Sequence, residues 1–275
     1  MPRRKGARLL TTIVMIPLIA VVAVGCLGWF QDQLIFFPET LDEDADLSFT
    51  GGKEVFVDAE DGARIHGLLF ESGESSRGVV LYFHGNAGNV ATWAPVGSRL
   101  SGYDVDVFLI DYRTYGKSTG SMSEKGLYRD GIAAYEYLLE AGYKPESIVV
   151  HGRSLGSAVA TYVAAHHDVA AVVLETPFTS LPELAGDLYP LPFPRRILRY
   201  SLDNRERAKL LDEPAWVVHG TADQIVPLEH GREVYTALGN GWKMTIIEGG
   251  GHNDLMGFPD YDTDLVRFYD EVLPP

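Results

Sequence analysis

The chain has 275 residues, 46% of them hydrophobic, and a formal charge of -15 from 23 basic and 38 acidic side chains. That length and apolar content suit one large domain with a real core and exclude a mainly disordered chain. The acidity argues against nucleic-acid binding, because net negative charge repels a phosphate backbone. The single cysteine, Cys26, excludes an internal disulfide framework and any thiolate-rich metal site, which leaves the chemistry to oxygen and imidazole.

The N-terminus is set apart by its charge. Residues 1–30 hold Arg3, Arg4, Lys5 and Arg8 and no acid, and the 23 residues from Leu9 to Gln31 carry no charge at all. About 20 apolar residues suffice to cross a bilayer core, so residues 9–30 are predicted to form a transmembrane anchor. The basic flank would stay cytoplasmic and Trp29-Phe30 would sit in the far headgroup layer, placing residues 31–275 outside the cytoplasm. Two alternatives share that location. Ala23-Val-Gly-Cys26 resembles a lipobox, which implies a lipoprotein modified at Cys26, and the segment also reads as a cleaved secretory signal. A buried core helix fits less well, since the run has no polar face and contains Pro17.

Beyond residue 50, short β-branched and aromatic runs alternate with longer amphipathic stretches, the pattern of a mostly parallel sheet with helices on both faces. Lys53–Asp58 and Ala63–Phe70 read as an antiparallel pair joined at Asp61-Gly62. Six nearly continuous apolar runs follow as buried strands: Gly78–Phe83, Val105–Ile110, Ser147–His151, Ala171–Leu174, Ala215–His219 and Lys243–Ile247. Helical spacing marks Thr92–Leu100, Glu124–Ala141, Ser157–Ala165, Leu228–Leu238 and Tyr261–Leu273. The stretch from Phe178 to Glu213 is long for a crossover and proline-rich, and residues 178–213 are expected to form a small lid.

The chemistry centres on Gly152-Arg153-Ser154-Leu155-Gly156, a G-x-S-x-G placed between a buried strand and a helix start. A serine hydroxyl attacks a carbonyl poorly unless a sharp turn holds it exposed beside a base, and flanking glycines leave room for that turn. Ser154 is therefore the expected nucleophile, with a helix-capping serine as the bland alternative. Asp223, just past one strand, and His252, in a glycine-rich loop past the next, are the expected acid and base. Asp254 is the rival acid, better suited to capping the following turn. His151 and His219 end buried strands and are expected to pack beneath the site, whereas His66, His166, His167 and His230 read as solvated surface residues. Leu155 and the loop His84-Gly-Asn-Ala-Gly-Asn89 offer backbone donors for an oxyanion, Asn86 first and Ala87 second, with His84 bracing the loop. No dinucleotide or phosphate-loop motif is present.

Taken with Asp111-Tyr-Arg-Thr-Tyr-Gly-Lys-Ser118 and Glu175-Thr-Pro-Phe-Thr-Ser180, these motifs resemble the α/β-hydrolase superfamily, and specifically its membrane-anchored, small-lidded branch related to serine aminopeptidase-type hydrolases and protein depalmitoylases. The resemblance implies an α/β-hydrolase fold, a Ser154, Asp223 and His252 triad, and no cofactor or metal. It does not carry over a substrate; the leading expectation is a serine hydrolase of esters or thioesters, acting on a small-molecule or acylated substrate through an acyl-enzyme on Ser154. A peptidase or amidase is the alternative within enzymes, and a non-catalytic binding protein the alternative outside them. Arg195, Arg196, Arg199, Arg205, Arg207 and Lys209, interleaved with Tyr189, Phe193 and Tyr200, permit a membrane-facing lid; paired surface arginines are the simpler reading.

Overall fold

Period-two alternation with apolar residues on both sides is what a doubly covered strand requires. In the computed structural model, which describes residues 30–74, 76–189 and 194–274, the strands are β1 (Lys53–Asp58), β2 (Arg64–Phe70), β3 (Val79–Phe83), β4 (Asp106–Ile110), β5 (Ile148–Arg153), β6 (Ala171–Glu175), β7 (Ala215–Gly220) and β8 (Gly241–Ile247). They form the main sheet in the order β8-β7-β6-β5-β3-β4-β2-β1, beside which Phe37–Pro38 and Ala87–Gly88 pair as a separate two-stranded sheet. The pairs β1–β2 and β2–β4 are antiparallel and the rest parallel, so the sheet is mixed, with its antiparallel part at one edge.

Leu81, Phe83, Val150, Leu174 and Val217 point to one face, where they meet α3 (Glu124–Glu140), α4 (Leu155–Ala164) and α8 (Leu228–Ala237). Val80, Tyr82, Val149, Val173, Trp216 and Val218 point to the other, against α2 (Val90–Ser101) and α9 (Pro259–Val272). Asn89 caps α2 by accepting from the Ala91 and Thr92 amides, and Ser123 caps α3 through the Gly126 amide. Gly62, at φ +83°, closes the β1–β2 turn where Asp61-Gly62 predicts it.

No described helix corresponds to the expected transmembrane segment. Residues 1–29, which hold nearly all of the 9–30 run and Cys26, lie outside the described residues, and among the described residues no helix is long and apolar enough to cross a membrane. Where the apolar run ends, the chain forms a single short helix, α1 (Gln31–Ile35), and docks at once on the domain. Gln31 donates to the Ile197 carbonyl (2.8 Å) and accepts from the Arg199 amide (2.7 Å), while Phe36 packs edge-on against Tyr200 with ring centroids 5.0 Å apart. The membrane as a partner through residues 9–30, and the anchored, lipidated or secreted locations built on that segment, are not carried forward.

Between β6 and β7 the chain carries three short helices, α5 (Leu181–Leu188), α6 (Pro194–Ile197) and α7 (Asn204–Ala208). The basic cluster here is largely paired. Arg195 and Arg205 share Glu183 at 2.9 and 2.6 Å, Arg199 meets Asp32 at 2.7 Å, Arg207 meets Glu124 at 3.6 Å and Lys209 meets Glu206 at 2.7 Å. A membrane-facing role is not carried forward.

Candidate active site

All strand ends that matter lie at the C-terminal edge of the parallel sheet, where α/β proteins place their ligands. Phe83 pairs with Gly152, Arg153 with Glu175, and Ile246 with His219, so the loops after β3, β5, β7 and β8 open on one rim. Ser154 sits between β5 and α4 at φ 51° and ψ -114°, a backbone that costs a non-glycine residue about 1–3 kcal/mol. Its amide donates to the Glu175 carbonyl at 2.8 Å. A Cβ on Gly152 would collide with the Gly156 carbonyl, and one on Gly156 with the Phe83 carbonyl, so both glycines are demanded by close backbone approach. The Ser154 side chain makes no capping bond to α4, contrary to the bland reading, and stays partly exposed.

Asp223 follows β7 in an Asx-type turn in which its Oδ1 accepts from the Ile225 and Val226 amides, both at 2.8 Å. Its Oδ2 accepts from His252 Nδ1 at 2.7 Å. Burial by itself pushes this carboxyl up, but hydrogen bonds from His219 and His252, the His252 charge and the Val226 amide outweigh it and hold the group well below the usual carboxylate range. An ionised Asp223 only accepts, so the His252 proton is assigned to Nδ1 and the Nε2 lone pair is left to act as a base.

Ser154 is not hydrogen-bonded to His252 among the described residues; the two are linked through Arg153, whose Nη2 donates to the His252 carbonyl at 2.9 Å and to Asn253 Oδ1 at 3.0 Å. Asp254 accepts from the Gly251 amide at 2.7 Å, a turn-capping bond. Leu155 is the first residue of α4, so its amide has no acceptor within the helix. Asn86 lines the cavity beside Ser154 and Leu155. Its carbonyl accepts from the Phe37 amide and the Tyr115 hydroxyl and its side chain donates one hydrogen to the Ile35 carbonyl, and its backbone N–H takes part in none of these bonds. Ala87 is paired with Phe37, its carbonyl accepts from Trp93 Nε1, and it does not line the cavity.

That cavity is 610 Å³ and carries no charged side chain in its lining. Leu181, Leu184, Ala185, Leu188 and Leu198 come from the β6–β7 segment, Ile225 and Val226 from the Asp223 turn, and Gln31, Leu34 and Ile35 from α1. Sequence reasoning assigned none of these wall residues; the one signal was that Leu34-Ile-Phe-Phe37 stays greasy past the predicted anchor. A second cavity of 640 Å³ lies on the opposite face of α5, but Glu183, Asp187, Arg195, Arg205, His230 and Glu233 line it and Ser154 does not. Several of its charges are paired with one another.

Two histidines expected at the surface are buried. His66 is covered because β1 lies outside β2, and it bridges Glu54 (3.1 Å) and Asp111 (3.3 Å). His230 packs under α5, with Nδ1 2.9 Å from Thr179 Oγ1. His151 and His219 are wholly buried at the strand ends where they were expected to pack; His84, expected to brace its loop, is wholly buried too, and its Nδ1 donates to the Gly85 carbonyl at 2.6 Å.

The alpha/beta hydrolase fold family matches residues 78–195. An uncharacterized protein of Mycobacterium tuberculosis is 36% identical over 249 residues, covering 87% of this chain and 88% of that protein. Alpha/beta hydrolase domain-containing protein 17C of Mus musculus is 31% identical over 219 residues, covering 77% and 65%. An esterase of Pyrococcus furiosus superposes with a TM-score of 0.68 at 20% identity, covering 87% of this chain and 98% of that one. The matched family is the fold as a whole, so the narrower placement in a membrane-anchored, small-lidded branch beside serine aminopeptidase-type hydrolases and depalmitoylases is not upheld. With its eight-stranded mixed sheet, its strained serine turn and the fold family's match over residues 78–195, the chain has the α/β-hydrolase fold.

Proposed function

We propose that this protein is a serine hydrolase of carboxylic esters or thioesters with an apolar acyl group, working through an acyl-enzyme on Ser154. The observation that carries the reading is the strained Ser154 at the mouth of an uncharged cavity, on the same rim as a His252–Asp223 pair bonded at 2.7 Å. Ser154 Oγ attacks the substrate carbonyl carbon as His252 Nε2 takes the hydroxyl proton. The Leu155 and Asn86 amides hold the negative oxygen of the tetrahedral intermediate. Collapse breaks the bond to the alcohol or thiol, which leaves with the proton from His252. Water, deprotonated by the same nitrogen, then cleaves the Ser154 ester and releases the acid. Asp223 stabilises the imidazolium in both halves. The Ser154–His252 bond closes on substrate binding, as catalytic hydrogen bonds that are long without substrate commonly do.

The cavity lining favours esters and thioesters over peptides with a free N-terminus, since it holds no carboxylate to meet an α-ammonium group. A binding protein without activity fits less well, because each position that the chemistry requires carries a competent residue. The deciding experiment is labelling with a fluorophosphonate probe alongside turnover of a p-nitrophenyl ester. Wild type is expected to label and turn over, and Ser154→Ala to do neither above the level that binding alone supports; a Ser154→Ala protein that still labels defeats the assignment.

A further inference from the structure

Arg153, the residue between Gly152 and Ser154, is only 6% exposed. Its guanidinium lies 5.2 Å above the Trp93 ring, and its Nε is 3.3 Å from Oε1 of Glu175. Glu175 is wholly buried, with Oε2 at 3.3 Å from the Tyr261 hydroxyl and 3.4 Å from His151 Nε2. Glu175 thus grips both halves of the site. Its backbone carbonyl accepts from the Ser154 amide at 2.8 Å, and its side chain holds the arginine that donates to the His252 carbonyl at 2.9 Å.

The His252 loop needs such a hold. The amides of Gly249, Gly250 and Gly251 are held by Thr221 Oγ1, the Ile247 carbonyl and Asp254 Oδ1, whereas at His252 itself the backbone contact is the carbonyl bond from Arg153. The Asp223 bond pins one ring nitrogen and leaves the backbone that carries the ring to be placed by other contacts. Stability does not account for the buried pair. Arg153 Nε, Glu175 Oε1 and both His151 nitrogens lack hydrogen-bond partners among the described residues, and a buried ion pair is often no more stabilising than apolar packing.

Building on the reading of Ser154 as nucleophile and His252 as base, we propose that Arg153, held by Glu175, is a positioning residue that sets the approach of the His252 loop to Ser154. The test uses the full chain with a short-chain p-nitrophenyl ester. Arg153→Lys keeps a positive charge beside Glu175, but one ammonium does not span Glu175 and the His252 loop as the guanidinium does. The double variant Arg153→Met with Glu175→Gln removes the pair without stranding a buried charge. Both are expected to lose about 10- to 100-fold in kcat with KM within about twofold, the size of effect that misplaced catalytic groups produce. Fluorophosphonate labelling of Ser154 should slow in parallel, with folded protein measured by thermal unfolding. A folded variant with wild-type kcat, or one in which only KM moves, overturns the proposal, as does a loss that tracks only the unfolded fraction. Labelling that persists in Ser154→Ala sinks the underlying assignment instead, so the two failures are distinct.

Discussion

His219 Nε2 lies 3.3 Å from Oδ2 of Asp223, the same oxygen that accepts from His252 Nδ1 at 2.7 Å. Because His219 Nε2 also faces the Val226 carbonyl at 2.9 Å, which only accepts, its proton sits on Nε2 and is shared between that carbonyl and the carboxylate. The acid is therefore braced from beneath by one histidine while it orients another.

Asp223→Asn should lower kcat by about 10³- to 10⁴-fold, because the neutral amide no longer selects the Nδ1–H tautomer of His252 or stabilises its imidazolium. His219→Phe, which keeps a ring and removes the donor, should cost about tenfold, the worth of one hydrogen bond to a charged group. Steady-state kinetics on a p-nitrophenyl ester compares the two. Equal losses would mean that Asp223 acts through its place in the turn and not through His252.

Acyl-chain selectivity should follow the cavity walls. Each methylene buried contributes about 0.8 kcal/mol, so kcat/KM should rise about fourfold per added carbon until the space is filled. Ala185 contributes a small side chain to the α5 wall, and Ala185→Trp should abolish that rise for long chains and spare acetate and propionate esters. An unchanged chain-length profile in Ala185→Trp would place the acyl group elsewhere.

Glu183 predicts an acid-side loss of stability. Burial pushes its carboxyl up, but hydrogen bonds from Thr179, Arg195 and Arg205 prevail and bring it from 4.5 down to about 2. A group lowered on folding stabilises the fold above its unfolded value, and this contribution is lost as pH falls from 4.5 toward 2. Thermal unfolding across that range should show a shallower pH dependence for Glu183→Gln than for wild type. Parallel curves would show that the Glu183 cluster does not fasten α5 to the domain.

Much of this protein is readable from local pattern. Continuous apolar runs such as Gly78–Phe83 and Ala171–Leu174 mark strands covered on both faces, and Gly62 at its positive φ closes the turn that Asp61-Gly62 signals. The serine motif announces itself because close backbone contact around Ser154 tolerates nothing larger than glycine at positions 152 and 156. These features depend on neighbours in the chain, so the order of residues alone determines them. What touches what across the chain was not legible. A one-dimensional pattern does not show that β1 buries His66, that α1 walls the cavity at Leu34 and Ile35, or that Arg153 reaches His252. The greasy run from Leu34 to Phe37 shows the same limit: it satisfies a bilayer or a protein groove equally well, and only the tertiary packing of Gln31 and Phe36 against Ile197, Arg199 and Tyr200 decides between them.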